Sequence, residues 1–424
     1  MTALYVAALI LCALCGAPLF IVFGGLALVL FAAVGIDSQA VIIEMYRLAS
    51  APTLIAIPLF TFAGFLLAES KSPQRMINLY RAVFGWMPGG LAIVSLATCA
   101  FFTSFNGASG VTIIALGGLL YPLLTSERYS ERFSMGLITA SGSLGLLFPP
   151  SLPLILYAVV AQVNVDQLFL AGIIPGFLLI ILLSLFSMRE GKRSGAAYQA
   201  FAWKNVWPAL RNAAWIVPLP VIILGGIYGG FFTASEAAAV TVVYVLFVEL
   251  LIYRDVSITR DIPRIASESM ILVGGVLVIL GCALGLTNYL VDEQIPMKII
   301  ELMRQFISSK LMFLFVLNIF LLIVGCLMDI FSATIVVVPL IVPIAKEFGV
   351  NPLHLGIIFL TNLEIGYLTP PVGLNLFISS IRFKKPIPEV YKASLPFLLV
   401  MLIALVFITY IPALSTWLPA FLRP

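Results

Sequence analysis

Apolar runs of about 17 to 25 residues, the length a helix needs to cross the hydrocarbon core of a bilayer, recur along this chain from end to end. They read as helical spans, because they lack the ten-residue alternating segments of an outer-membrane barrel. Of the 424 residues, 62% are hydrophobic and 10% charged, and the mean hydropathy is +1.15. A water-soluble globule could not hide that much apolar surface. The chain is therefore expected to be an all-α polytopic membrane protein with about eleven or twelve helix equivalents by the length rule.

The first run, `TALYVAALILCALCGAPLFIVFGGLALVLF`, has no basic residue ahead of it and no clear cleavage site, and is too long for a signal-peptide core. It is expected to stay as a span. Cys12, Cys15, Cys99, Cys282 and Cys326 all lie in apolar runs without metal-type spacing, which predicts small buried side chains. The segment `MREGKRSGAAYQAFAWKNVWPALR` (188–211) carries five Lys/Arg and `YRDVSITRDIPR` (253–264) carries three, with two apolar runs between them. Both loops then lie on one side, which the positive-inside rule makes cytoplasmic. The modest net charge of +4 shows no nucleic-acid patch; the lipid bilayer is the surface this chain meets.

Two of the runs contain consecutive prolines: `SLGLLFPPSL` (143–152) and `IGYLTPPVGL` (365–374), both with Gly-x-Leu-x-Pro-Pro. Their offset (366 − 145 = 221) is shared by other features. It brings Pro122 onto Pro343, Gly145 onto Gly366, Leu147 onto Leu368, Pro149-Pro150 onto Pro370-Pro371 and Pro175 onto Pro396, with Thr112 and Thr334 one residue out. One register for separated features argues for two homologous halves. Each half has an apolar run ending in a polar, small-residue knot, another apolar run, a short charged loop and then the Pro-Pro run. The knots, `TSFNGASG` (103–110) and `GCLMDIFSAT` (325–334), lack the several charges of a membrane-surface loop. They read as the tips of hairpins that enter the membrane and return.

Paired prolines stop a helix and leave carbonyls unpaired. In lipid such a break survives only where it lines a polar cavity or is buried in protein. Freed carbonyls suit a hard cation such as sodium, and helix N-termini suit an anion. Two copies predict two ion sites around one substrate site.

These residues resemble the large membrane (M) subunit, DctM type, of tripartite ATP-independent periplasmic (TRAP) transporters. `IPLFTFAGFLLAES` with `WMPGGLA`, `GASGVTIIALGGLLYPLL`, `GLLFPPSLPLILYA`, `GGIYGGFFTASEAAAV`, `DIFSATIVVVPLIVPIA` and `LTPPVGLNLFISS` follow in family order over nearly the whole chain. The resemblance implies an inner-membrane, sodium-driven importer of organic anions such as C4-dicarboxylates or sialic acid. Its partners would be a soluble periplasmic substrate-binding protein and a small four-helix membrane subunit, here expected as a separate polypeptide. Sodium would be the coupling ion, with no other cofactor and no enzymatic activity.

The implied fold is an elevator with an inverted repeat, two re-entrant hairpins and two broken helices, as in the ion-transporter superfamily. Scaffold helices would occupy 1–90, the first hairpin and broken helix 91–187, linking and scaffold helices 188–310, the second hairpin and broken helix 311–381, and a C-terminal helix 382–424. Carried over by position, the first sodium site would use Asn106, Gly107, Ala108 and Ser109 with Gly145, Phe148 and Pro150. The second would use Met328, Asp329, Ile330 and Ser332 with Gly366, Thr369 and Pro371, many through main-chain carbonyls. Ser104, Thr112, Ser151 and Thr334 are candidates to touch substrate.

Other residues carry plainer readings beside functional ones. Asp329 fits an ion-site or tip-ordering role, or a helix cap. Glu364 fits a coupling role, or a hydrogen bond that holds the break together. Glu236 follows Thr233 at capping-box spacing. His354 reads as an interfacial histidine. `GASG` with His354 as base for Ser109 would suit a rhomboid-type serine protease, but leaves the duplicated breaks unexplained. A divalent anion/sodium symporter shares the hairpins and breaks but works without a binding protein. No `GxxxxGK[ST]` loop points to ATP use.

Overall fold

The computed structural model describes residues 2–37, 39–195, 201–304, 306–307 and 309–422, so that 196–200 of the basic 188–211 loop lie outside the described residues. Among the described residues there is no strand. Eight helices are long and apolar enough to cross a membrane, or ten if each of two bent pairs is one span. The larger sequence count also took in shorter apolar helices such as Leu19–Val34 and Gly90–Asn106.

The first half runs through α1 (Thr2–Leu14), α2 (Leu19–Val34), α3 (Gln39–Ala49), α4 (Ala56–Glu69) and α5 (Ser72–Phe84). It continues with α6 (Gly90–Asn106), α7 (Ser109–Ser126), α8 (Glu131–Ser141), α9 (Leu152–Ala161) and α10 (Val165–Ser194). The second half has α11 (Trp203–Ala213), α12 (Pro218–Tyr228), α13 (Ala234–Phe247), α14 (Asp261–Asp292) and α15 (Ile295–Arg304). There follow α16 (Lys310–Leu327), α17 (Ile330–Glu347), α18 (Pro352–Gly366), α19 (Leu374–Phe383), α20 (Ile387–Tyr410) and α21 (Ala413–Phe421).

The duplication is visible in the element boundaries. Shifting α7 by the offset found in the sequence gives both ends of α17, and the end of α6 falls on the end of α16. Pro149-Pro150 and Pro370-Pro371 are both cis. Packing repeats the symmetry: α7 lies against α19 and α17 against α9, while α8 lies against α20 and α18 against α10. Exchanging the halves maps each of these contacts onto another, the property of an approximate two-fold.

The first apolar run departs from the single expected span. Gly16 adopts a left-handed φ of +87° ahead of Pro18, and the chain turns back so that α2 packs on α1. An alanine Cβ at Gly25 would lie 2.9 Å from Leu9 Cδ2. Cys12 and Cys15 sit on this hairpin and are exposed, whereas Cys99, Cys282 and Cys326 are buried as anticipated. Among the described residues, helix α1 packs mainly on α2.

Ion pairs link helix ends and loops across the bundle. Arg81 of α5 pairs with Glu127, and Lys385 with Glu131 at 3.2 Å. Arg75 pairs with Asp255, and Arg264 with Glu69 at 2.8 Å. Gly89, just past α5, abuts Met188 of α10, and Arg75 of α5 reaches Asp255, so α5 lies near one end of each basic segment. Thr233 and Glu236 form the anticipated capping box at α13. His354, read as interfacial, is instead buried near the start of α18, because the C-terminal segment covers it: Nδ1 lies 2.6 Å from Ser415 Oγ and Nε2 3.2 Å from Thr409 O.

Candidate functional site

Each knot forms the turn between two helices, and each turn meets the broken helix of its own half. In the first half α6 ends at Asn106, whose Oδ1 accepts from Ala108 N at 2.9 Å. Its Nδ2 donates to Thr112 Oγ1 at 3.0 Å. The Thr103 hydroxyl lies 2.7 Å from Thr112 Oγ1 and 2.9 Å from Gly142 O. These bonds tie the tip to the start of the break. Thr112 therefore works as a brace of the tip, beyond the substrate contact read from sequence. Gly107 takes a left-handed φ of +65°, and a Cβ there would lie 2.5 Å from Leu152 Cβ, just past the break. This is a position where only glycine combines the backbone angle with the close approach.

The second tip is built from different chemistry. Asp329 caps α17, Oδ1 accepting from Phe331 N at 2.9 Å and Ser332 N at 3.0 Å, and Ser332 Oγ donates to its other oxygen. The capping role is thus present. Ile330 N donates to Tyr367 Oη at 2.6 Å, and Gly373 N to Cys326 O at 3.1 Å, so the break is fastened to both sides of the tip.

The two glycines that precede the prolines do the same work in both halves. A Cβ on Gly145 would lie 2.4 Å from Ser104 N and 2.3 Å from Ala100 O. One on Gly366 would lie 2.4 Å from Gly325 C and 2.5 Å from Gly325 Cα. Ser104 and Gly325 are themselves equivalent in the repeat register. Backbone meets backbone here, which is how an interrupted helix is buried in protein instead of facing lipid.

Of the residues carried over by position, Gly107 and Gly145 in the first half and Ile330 and Gly366 in the second stand at these contacts between tip and break. Phe148 and Met328 have extended backbone between helices, and the prolines offer carbonyls without N–H groups. Thr369 Oγ1 donates to Ile365 O at 3.0 Å and Thr334 Oγ1 to Ile330 O at 2.6 Å, leaving hydroxyl lone pairs as acceptor sites for a cation. Ser104 Oγ donates to Phe101 O at 2.8 Å. A cavity of about 280 Å³ opens beside the first break, lined by Ser104, Phe148, Pro149, Phe101 and Phe177.

Four polar groups at the breaks are fully buried with an oxygen lacking a hydrogen-bond partner among the described residues: Ser143, Ser151, Glu364 and Asn375. The expected hydrogen bond from Glu364 across the break is therefore absent. Ser109 has no His354 beside it, since both ring nitrogens of His354 are engaged elsewhere, and the protease reading fails. Thr103, Tyr367 and Asn375, whose N donates to Tyr367 O at 3.2 Å, are site residues that sequence reasoning missed. Tyr367 was within sight, lying between Gly366 and the prolines.

Comparisons with known proteins show what the chain is similar to. Residues 5–414 match the family described as the tripartite ATP-independent periplasmic transporter, DctM component. The C4-dicarboxylate TRAP transporter large permease protein DctM of Pseudomonas aeruginosa is 37% identical over 400 residues, covering 94% of this chain and 93% of that one. The isethionate TRAP transporter permease protein DctMQ of Oleidesulfovibrio alaskensis is 33% identical, covering 96% of this chain and 68% of that protein. The crystal structure of the Alcanivorax borkumensis YdaH transporter shares the fold, with a TM-score of 0.58 and 15% identity over 91% of this chain and 89% of that one.

Proposed function

The chain belongs to the DctM family of TRAP transporters, as a large permease of the inner membrane, and on that premise we propose that it imports a small organic anion by sodium-coupled, elevator-type alternating access. Relatives named for C4-dicarboxylate and for isethionate support a substrate with one or more carboxylate or related acid groups. A loaded periplasmic binding protein docks and releases the anion between the two tips, and a small four-helix subunit accompanies the chain in the membrane. Sodium ions at the two breaks order the tips around the anion. The hairpins and broken helices then move as one body relative to the remaining helices, and substrate and sodium leave to the cytoplasm.

One observation carries this reading: the same tip-to-break contact, Gly145 on Ser104 and Gly366 on Gly325, occurs in both halves. Two such junctions provide two sets of main-chain acceptors for cations and uncapped helix N-termini for an anion; α7, α9 and α19 have no side-chain cap, whereas α17 is capped by Asp329. Because cations and anion stabilise the same closed arrangement, their binding is thermodynamically linked.

The test is uptake of a labelled carboxylate into proteoliposomes holding this chain and its small subunit, with and without a sodium gradient and the binding protein. Dependence on both is the expected result. Sodium-driven uptake indifferent to the binding protein would replace this reading with a symporter that works alone. Uptake indifferent to sodium would remove the ion sites.

A further inference from the structure

The two junctions share the contact of break glycine on tip but not a charge. Glu364 stands where the first half has Ser143, two residues before the break glycine in each case. Both side chains are fully buried, and neither Ser143 Oγ nor either carboxylate oxygen of Glu364 has a hydrogen-bond partner among the described residues. Residues 103–110 and 142–152 contain no ionisable side chain. Residues 325–334 and 363–375 contain Asp329 and Glu364 and no Lys, Arg or His.

Asp329 is satisfied by two amides, a hydroxyl and the N-terminus of α17. Glu364 has none of these. Glu364 lies in the chain between Leu363 and Gly366, both of which abut Gly325 at the tip, and the nearby Tyr367 hydroxyl is the group bound to Ile330 N. Glu364 is thus an uncompensated acid beside the second tip-to-break junction. A carboxylate so placed is strongly disfavoured unless a cation accompanies it.

We propose that Glu364 supplies the charge that holds a monovalent cation at the second break before substrate arrives. The uncharged first break then keeps its cation only in the company of the anionic substrate. The two halves load in order, although both make the same contact of break glycine on tip. This inference rests on the sodium-coupled reading above and adds to it an assignment and a sequence of binding.

The experiment is thermal unfolding of the purified complex with its small subunit in detergent, without substrate, as sodium chloride replaces choline chloride at constant ionic strength. Wild-type protein is expected to gain stability saturably with sodium. Glu364→Gln should raise the half-saturating sodium concentration at least about thirty-fold, the low end of what removing one member of a buried charge pair costs. Ser143→Ala should leave it within about two-fold. An unchanged midpoint in Glu364→Gln overturns the proposal. Should that variant not purify, the infrared difference spectrum of the wild type between sodium and choline serves instead: a change in the carboxylate stretching region is expected, and its absence overturns the proposal. A wild type whose stability ignores sodium sinks the sodium reading itself, whereas a sodium-stabilised wild type with an unaffected Glu364→Gln sinks this inference alone.

Discussion

Replacing Gly366 by alanine tests whether the tip and the break must touch. An alanine Cβ would lie 2.4 Å from Gly325 C, 2.5 Å from its Cα and 2.8 Å from its O, whereas real Cβ atoms essentially never come within 3.0 Å of such atoms. Relief requires α16 and α18 to separate by about half an ångström at the least, and about 1 Å for ordinary contact. Backbone lies on both sides, so no rotamer change helps. Overpacking costs about 1–3 kcal/mol, and a rigid backbone contact belongs near about 3 kcal/mol. At about 1.4 kcal/mol per factor of ten, the closed junction loses about 100-fold in population. Initial uptake in proteoliposomes, normalised to protein that elutes as a single species, should fall by about two orders of magnitude. Gly325→Ala should be milder, because its Cβ first meets Leu363 Cα and Cδ2 at 3.0 Å. Wild-type uptake by Gly366→Ala, with an unchanged melting profile, would show that the junction is slack and refute the reasoning.

Further outcomes follow from the bonds around the tips. Tyr367→Phe leaves Ile330 N buried without its acceptor, a loss of about 1–3 kcal/mol, and should speed amide exchange at residues 328–332 by mass spectrometry; unchanged exchange would remove Tyr367 as a clasp. Asp329→Asn keeps a side-chain cap and Asp329→Ala removes it, at about 0.5–2 kcal/mol, so a melting difference between the two reports capping, while equal melting would place the acid's role elsewhere. Arg81 and Glu127 join α5 to the end of α7; reversing either charge should lower the melting temperature and reversing both should restore much of it, with a coupling of about 0.5–3 kcal/mol. Burial holds the Glu127 carboxyl above its usual range and Arg81 opposes this. In Arg81→Ala the folded protein therefore binds the Glu127 proton more readily than the unfolded chain does, so its deficit should shrink as pH falls through the carboxylate range; a deficit that grows would contradict the pairing.

Much of the architecture was legible because it rests on strong, local physics. Span-length apolar runs, two Pro-Pro breaks and a constant offset are visible in the letters alone, and the helix ends of α7 and α17 obey that offset. The missed features depend on what lies across the fold. Nothing in `ALCGAP` says that α1 and α2 form a hairpin in place of a span, because one glycine and one proline are equally compatible with a kink. His354 is buried by a segment more than fifty residues away. The tip braces Thr103 and Tyr367 look like ordinary members of apolar helices until their partners Gly142 and Ile330 are placed beside them.

The repeat also explains why polar residues were harder to assign than backbone ones. A main-chain ion site asks the sequence only for a break and for room, and Gly145, Gly366 and the prolines supply both in each half. What braces the break is then free to differ: an amide and two hydroxyls in the first half, a carboxylate cap and a tyrosine in the second. On the proposed reading, unequal charges at the two junctions give two cation sites of different affinity. An anion arriving between them would complete the electrostatics of the neutral site more than those of the acidic one, which would couple substrate binding chiefly to the first tip. That coupling gives Asn106 a sharper consequence than its position suggests. Asn106→Ala, which frees Ala108 N and leaves Thr112 Oγ1 with only the Thr103 hydroxyl, should weaken sodium binding measured with substrate more than sodium binding measured without it, and an equal loss in both would mean that the halves do not divide the work in this way.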